Sequence, residues 1–277
     1  MARREEGRYW VYLSDEQRRQ AGCAAHELCR ESRFRDTSIG HMQREYHRWF
    51  ARDLGRDMEM LTFGHAGRPY VVFPTSMGAF FEFEDRGMVG ALASKLEEGS
   101  LQLFCVSTVD EESFYASMVH PRARVERYLQ YERYLIGDVV PFIKHRTNSD
   151  TAGVTGCSFG AYHSFTMALR HPDVFTSCVC MGGAFDLMRV LKGWVDEAYL
   201  LSPPHFVPNL TDEWFLDRCR QNKWVLVTGE RDICRGDTEQ ASQLLNSKGI
   251  PNSLHVWGHG SEHDWPEWKK MVQVYVP

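Results

Sequence analysis

Residues 152–170, "AGVTGCSFGAYHSFTMALR", place Ser158 between Gly156 and Gly160 where a short strand-like apolar run gives way to a helix-like one. The pentapeptide G-x-S-x-G occurs by chance in many chains, but a strand, one tight turn and a helix are the context that a nucleophile elbow requires. At such a turn the serine is held in strained backbone geometry, and the flanking glycines lack side chains that would clash with nearby backbone. Ser158 is therefore expected at the carboxyl end of a sheet. The helix after it aims free N–H groups and a positive dipole end at the same spot, which favours an anionic tetrahedral intermediate there. Cys157 should point back toward the strand and be buried packing rather than a second nucleophile.

The rest of the chain repeats the same alternation. Runs rich in β-branched residues start at Met58, Tyr70, Leu101, Ala152, Ser177, Trp224 and Ser253. Between them, Val89, Leu92, Ala93 and Leu96 fall at helical spacing, as do Val125, Tyr128, Leu129 and Leu135 in a long segment after Pro121. Further helices are expected near Gly160, Asp237 and Trp265. This pattern predicts an α/β fold with a mainly parallel central sheet and helices on both faces. The stretch "REYHRWF", residues 44–50, is expected as an antiparallel edge strand before the parallel run.

Two regions break the repeat. Residues 1–40 are polar and arginine-rich, and a helix capped by Ser14 or Asp15 would carry Ala21, Ala24, Ala25 and Leu28 on a weak apolar face. This extension reads as a partner-docking arm, as a helix lying on its own domain, residues 41–277, or as a partly ordered tail. The second region, 189–222, is a small helical insertion before the penultimate strand that carries Trp194, Tyr199, Phe206, Trp214 and Phe215 with three prolines. It reads equally as a cap over a pocket or as a long packed connection.

Composition removes several function classes. A content of 43% hydrophobic residues suffices for a packed core, and the net charge of −5 is spread over mixed-sign stretches, which argues against nucleic acid or an anionic membrane surface as partner. No apolar run approaches the roughly 20 residues of a spanning helix, and Arg3 and Arg4 have no apolar region behind them, so a cytoplasmic location is expected. Eight cysteines without paired C-x-x-C spacing read as reduced thiols, with Cys178 and Cys180 packed on one face of a strand. The sequence leaves self-association open.

A serine hydroxyl needs a base to take its proton and an acid to orient that base, in the chain order serine, acid, histidine for this type of elbow. After the strand at Trp224, "ERDIC" puts Asp232 on a loop at the strand's carboxyl end; Glu230, Asp237 and Asp186 are fallbacks that would otherwise cap helices. After the last strand, "HGSEHDW" offers His259 and His263, and His263 is preferred because its loop can turn back over the sheet. His163 and His171 read as helix residues, His171 interacting with the dipole at a helix end.

The segments "GCSFGAYHSF", "ALRHPDVF", "GERDIC" and "HDWPEWK" together resemble the putative-esterase family of α/β-hydrolases, relatives of S-formylglutathione hydrolases, feruloyl esterases and mycolyltransferases. The resemblance spans roughly residues 45–275. It implies the α/β-hydrolase fold, Ser158 as nucleophile, Asp232 as orienting acid and His263 as base. It also implies an oxyanion hole made by the Phe159 N–H and one N–H from the loop "FPTSMGAFFEFED"; the chain lacks the His-Gly motif that many esterases place there, so the second donor is Ser76 or Met77.

The expected reaction is two-step acyl transfer from a small-molecule ester or thioester to Ser158 and then to water, with no metal or organic cofactor required. Two other readings survive: an acyltransferase or cyclising thioesterase using the same residues with another acceptor, and a catalytically silent binding protein docked through residues 1–40.

Overall fold

The computed structural model describes residues 42–277 together with the backbone of the short strand Phe34–Arg35. The helix expected from Ser14, and the rest of the 1–40 extension, lie outside the described residues. The strands are β1 (Phe34–Arg35), β2 (Arg44–Ala51), β3 (Arg56–Phe63), β4 (Arg68–Phe73), β5 (Leu101–Val106), β6 (Ala152–Cys157), β7 (Phe175–Met181), β8 (Lys223–Gly229) and β9 (Ser253–Trp257). They form one sheet in the order β1-β2-β3-β5-β4-β6-β7-β8-β9.

From β5 through β4 and on to β9 every pairing is parallel, and β3 pairs antiparallel with both of its neighbours. Residues 44–50 are antiparallel as expected, but they are not the edge, because β1 pairs outside them. The two-residue β1 had no periodicity from which to be read. Along β4, Val71 and Phe73 join the core on one face of the sheet while Tyr70 and Val72 join the core on the other. Strands buried on both faces read as continuous apolar runs, which is why the sequence marked them well.

Helices pack on both faces of the sheet. Phe159–Arg170 follows β6 directly and is buried along its whole length. Pro121–Tyr134 begins with Pro121 at its first turn, and continues through a π turn, Leu135–Val139, into Val140–Thr147. Pro141 has no N–H for the preceding turn, so the wider turn just before it is where the ladder accommodates the proline. Trp265–Tyr275 covers the other face, with Trp268, Met271 and Val272 buried.

The 189–222 insertion is built of short helical turns and the helix Glu213–Gln221. Phe206, Val207 and Phe215 are buried in the main core, the Tyr162 hydroxyl donates to Leu201 O at 2.8 Å, and Trp194 is exposed. Among the described residues no helix is long and apolar enough to cross a membrane.

The strand order positions the site. After β4 the chain moves to β5 on one side, whereas after β6 it moves to β7 on the other, so the loops leaving these adjacent strands diverge. A crevice opens at such a switch point, at the carboxyl ends of the strands. The loop with Ser76 and Met77 follows β4, and Ser158 follows β6.

Candidate active site

Ser158 leaves β6 with φ 55° and ψ −119°, a left-handed excursion for a residue with a Cβ. Its N–H donates to Met181 O at 2.9 Å, and its carbonyl accepts from Ala161 N–H at 3.1 Å. The two glycines are required sterically: a Cβ on Gly156 would lie 2.4 Å from Gly160 C, and one on Gly160 would lie 2.4 Å from Phe73 O. The elbow helix thus presses against the end of β4, bringing Phe159 close to the 74–78 loop. Cys157 is buried as expected, and burial pushes its thiol well above its ordinary pKa.

The serine, histidine and acid singled out from sequence meet in one hydrogen-bonded line. Ser158 Oγ lies 3.0 Å from His263 Nε2, and His263 Nδ1 lies 2.8 Å from Asp232 Oδ1. Burial acts to raise the Asp232 carboxyl, but hydrogen bonds from His263 and from Cys234 N–H outweigh it and hold the pKa below its ordinary value. An ionised carboxylate only accepts, so Nδ1 carries the ring proton and Nε2 faces Ser158 as an acceptor. The ring of His263 packs edge-on against Trp268, with centroids 4.8 Å apart.

The fallback residues go elsewhere. Glu230 accepts from Gly260 N–H, Asp237 pairs with Arg189, and Asp186 caps the helix Leu187–Leu191 while bonding His205. His259 is exposed at φ 58°. His171 does end a helix, but its Nε2 lies 2.7 Å from the buried Glu132 carboxylate, a partner 39 positions away that outranks the dipole reading. Cys178 and Cys180 lie with sulfurs 3.4 Å apart, both buried.

The 74–82 loop is stapled at three points. Glu82 accepts from Thr75 N–H at 2.8 Å and from the Thr75 hydroxyl at 2.9 Å, Ser76 Oγ bonds the Tyr115 hydroxyl at 2.7 Å, and Met77 N–H donates to Asp110 Oδ2 at 3.1 Å. Met77, like Ser158, carries a Cβ at positive φ, 57°. Glu82, Asp110 and Tyr115 were not found from sequence. Asp110 follows β5 at its carboxyl end, which was the available signal; the other two had none. Gly182, the first residue after β7 and half of a Gly-Gly pair, was not singled out from sequence either.

Asp232, Cys234 and His263 have ligand-type atoms within 4.8 Å of one another. Burial, then Asp232 and Asp237, push the Cys234 thiol up to about 12, and the Asp232 and His263 atoms of this group are already hydrogen-bonded to each other.

A family model described as putative esterase matches residues 87–276, well over half of the chain. No curated protein matches the sequence. Among solved structures, an S-formylglutathione hydrolase from Agrobacterium tumefaciens is similar at 14% identity and TM-score 0.67, covering 88% of this chain and 96% of that one. A ferulic acid esterase from Anaeromyces mucronatus is similar at 11% identity and TM-score 0.65, covering 89% and 93%. A thermostable esterase from Pseudomonas putida is similar at 12% identity and TM-score 0.59, covering 95% and 88%. At these identities the three share the fold.

Proposed function

From the premise that the chain belongs to the putative-esterase family and is a carboxylic-ester hydrolase, we propose that it works through Ser158, His263 and Asp232 by way of an acyl-enzyme. The observation that carries this reading is the line of hydrogen bonds from Ser158 Oγ through His263 to Asp232.

His263 Nε2 takes the Ser158 proton as Oγ attacks the carbonyl carbon, and the resulting imidazolium is stabilised by the ionised Asp232. The oxyanion is held by the Phe159 N–H at the start of the elbow helix and by an N–H of the Ser76–Met77 loop. His263 then protonates the leaving alcohol or thiol, and the acyl group stays on Ser158. Water, deprotonated by the same nitrogen, releases the acid and restores the hydroxyl. The substrate is a small-molecule ester or thioester, the two bond types named in the ferulic acid esterase and S-formylglutathione hydrolase neighbours. The 189–222 insertion acts in this reading as a packed wall, since its aromatic residues lie largely in the core.

The test is intact mass after incubation with a fluorophosphonate probe. One adduct is expected on the wild type and none on Ser158→Ala, which should also lose ester turnover with its melting temperature nearly unchanged. Turnover surviving in Ser158→Ala would overturn the assignment.

A further inference from the structure

A second aspartate–histidine pair lies buried beside the first and has no part in the proton transfers above. His163 sits one turn after Phe159 on the elbow helix, fully buried, and its Nε2 is 3.1 Å from Asp110 Oδ1. Its Nδ1 is 3.3 Å from the Tyr128 hydroxyl. The other carboxylate oxygen, Asp110 Oδ2, accepts the Met77 N–H, and Asp110 is itself 1% exposed. The donors run in one direction: the Tyr128 hydroxyl to Nδ1, Nε2–H to Asp110, and the Met77 N–H to the same carboxylate. A neutral imidazole satisfies every partner in that line.

We propose that Asp110, held by His163, is a positioning residue that ties together the two halves of the oxyanion hole. One half, the Phe159 N–H, belongs to the helix that carries His163, whose ring also packs edge-on against Phe159 at 4.9 Å. The other half lies on the loop after β4. The Asp110 carboxylate is the bridge between them, and it holds Met77 at φ 57°, a conformation that L side chains seldom adopt. Because the Met77 N–H is engaged by Asp110 while the Ser76 N–H has no acceptor among the described residues, the Ser76 N–H is the second donor to the oxyanion. Spacing fixed in this way matters because donors act only when they already stand at the position the oxyanion will occupy.

The inference rests on Ser158 being the nucleophile. Its test compares steady-state ester hydrolysis with inhibition by a trifluoromethyl ketone, which adds to the activated serine to form an oxyanion. Asp110→Ala is expected to lower kcat and weaken the ketone by about 100-fold each, the scale of losing one oxyanion donor, with KM within about threefold of wild type. Asp110→Asn should stay within about tenfold of wild-type kcat, because its carbonyl can still accept the Met77 N–H while its amide donates to the other tautomer of His163. His163→Gln, which loses the fixed reach to Asp110, is expected to lower kcat at least about tenfold at unchanged KM. A folded Asp110→Ala with wild-type kcat overturns the proposal, as does loss of kcat with ketone affinity intact; should Asp110→Ala fail to fold, wild-type kcat in His163→Gln does the same. Fluorophosphonate labelling of the wild type separates the two levels: an unlabelled wild type sinks the nucleophile assignment, whereas a labelled enzyme indifferent to Asp110 and His163 sinks this inference alone.

Discussion

Gly182 stands at φ 58° with no space for a methyl: a Cβ there would lie 2.6 Å from Asp232 Oδ2 and 3.0 Å from His263 Nδ1. Gly182→Ala is therefore expected to cost about 1–2 kcal/mol in backbone strain. It should also displace the aspartate–histidine pair, so turnover should fall far more than the urea midpoint does; equal, small losses in both would show the contact to be slack. The two histidines of the last loop give a second prediction at this scale. His263→Ala should lower kcat by several powers of ten and His259→Ala by less than about tenfold, and the reverse ranking in steady-state kinetics would move the base. Ser158, Asp232 and His263 were legible because each stands in a local pattern, an elbow or a loop after a strand. Gly182 and Asp110 act through partners distant in sequence, and no local pattern announces such a partner; Glu82 closes its own loop on Thr75, a contact that carries no motif.

At the scale of elements, the helix Pro121–Tyr134 is locked to the elbow helix by charge as well as packing. Glu132 accepts from Arg170 Nε at 2.9 Å and bonds His171 at 2.7 Å, and Arg170 also donates to Leu200 O in the insertion. Burial alone would raise the Glu132 carboxyl, but Arg170 and His171 outweigh it and hold the pKa down to about 2. Glu132→Gln leaves Arg170 without its counter-charge and should cost about 3 kcal/mol, measured by urea unfolding at neutral pH. Because the folded pKa lies below the ordinary value of 4.5, the unfolded chain binds the extra proton in that window. Stability from Glu132 is thus present above pH 4.5 and lost as pH falls toward about 2, and the Gln variant should show a flatter acid limb. Such cross-element pairs lay beyond a sequence reading that gave His171 a helix-end role and Arg170 none.

For the whole molecule, stability is shaped by a carboxylate of the opposite kind. Asp138, in the π turn, is raised to about 6 by burial and then by Asp53. The folded state holds this proton more tightly than the unfolded chain, so the contribution is full below pH 3.8 and lost as pH rises through about 6. Asp138→Asn should remove that decline and raise the melting temperature at pH 7 relative to pH 5; an unchanged pH profile would show that the group titrates normally. The sequence by itself determined the α/β alternation, the places of the strands though not that the Met58 run pairs antiparallel on both sides, the elbow and the three residues aligned on it, because periodicity and turn chemistry are local properties of the chain whereas pairing direction is not. Tertiary structure alone decided that β5 inserts between β3 and β4, which sends the connections after β4 and β6 in opposite directions, and that Asp110 reaches both His163 and Met77. Strand order and buried polar pairing depend on which distant segments share a core, and two segments that never meet in sequence carry no mark of it until the chain packs.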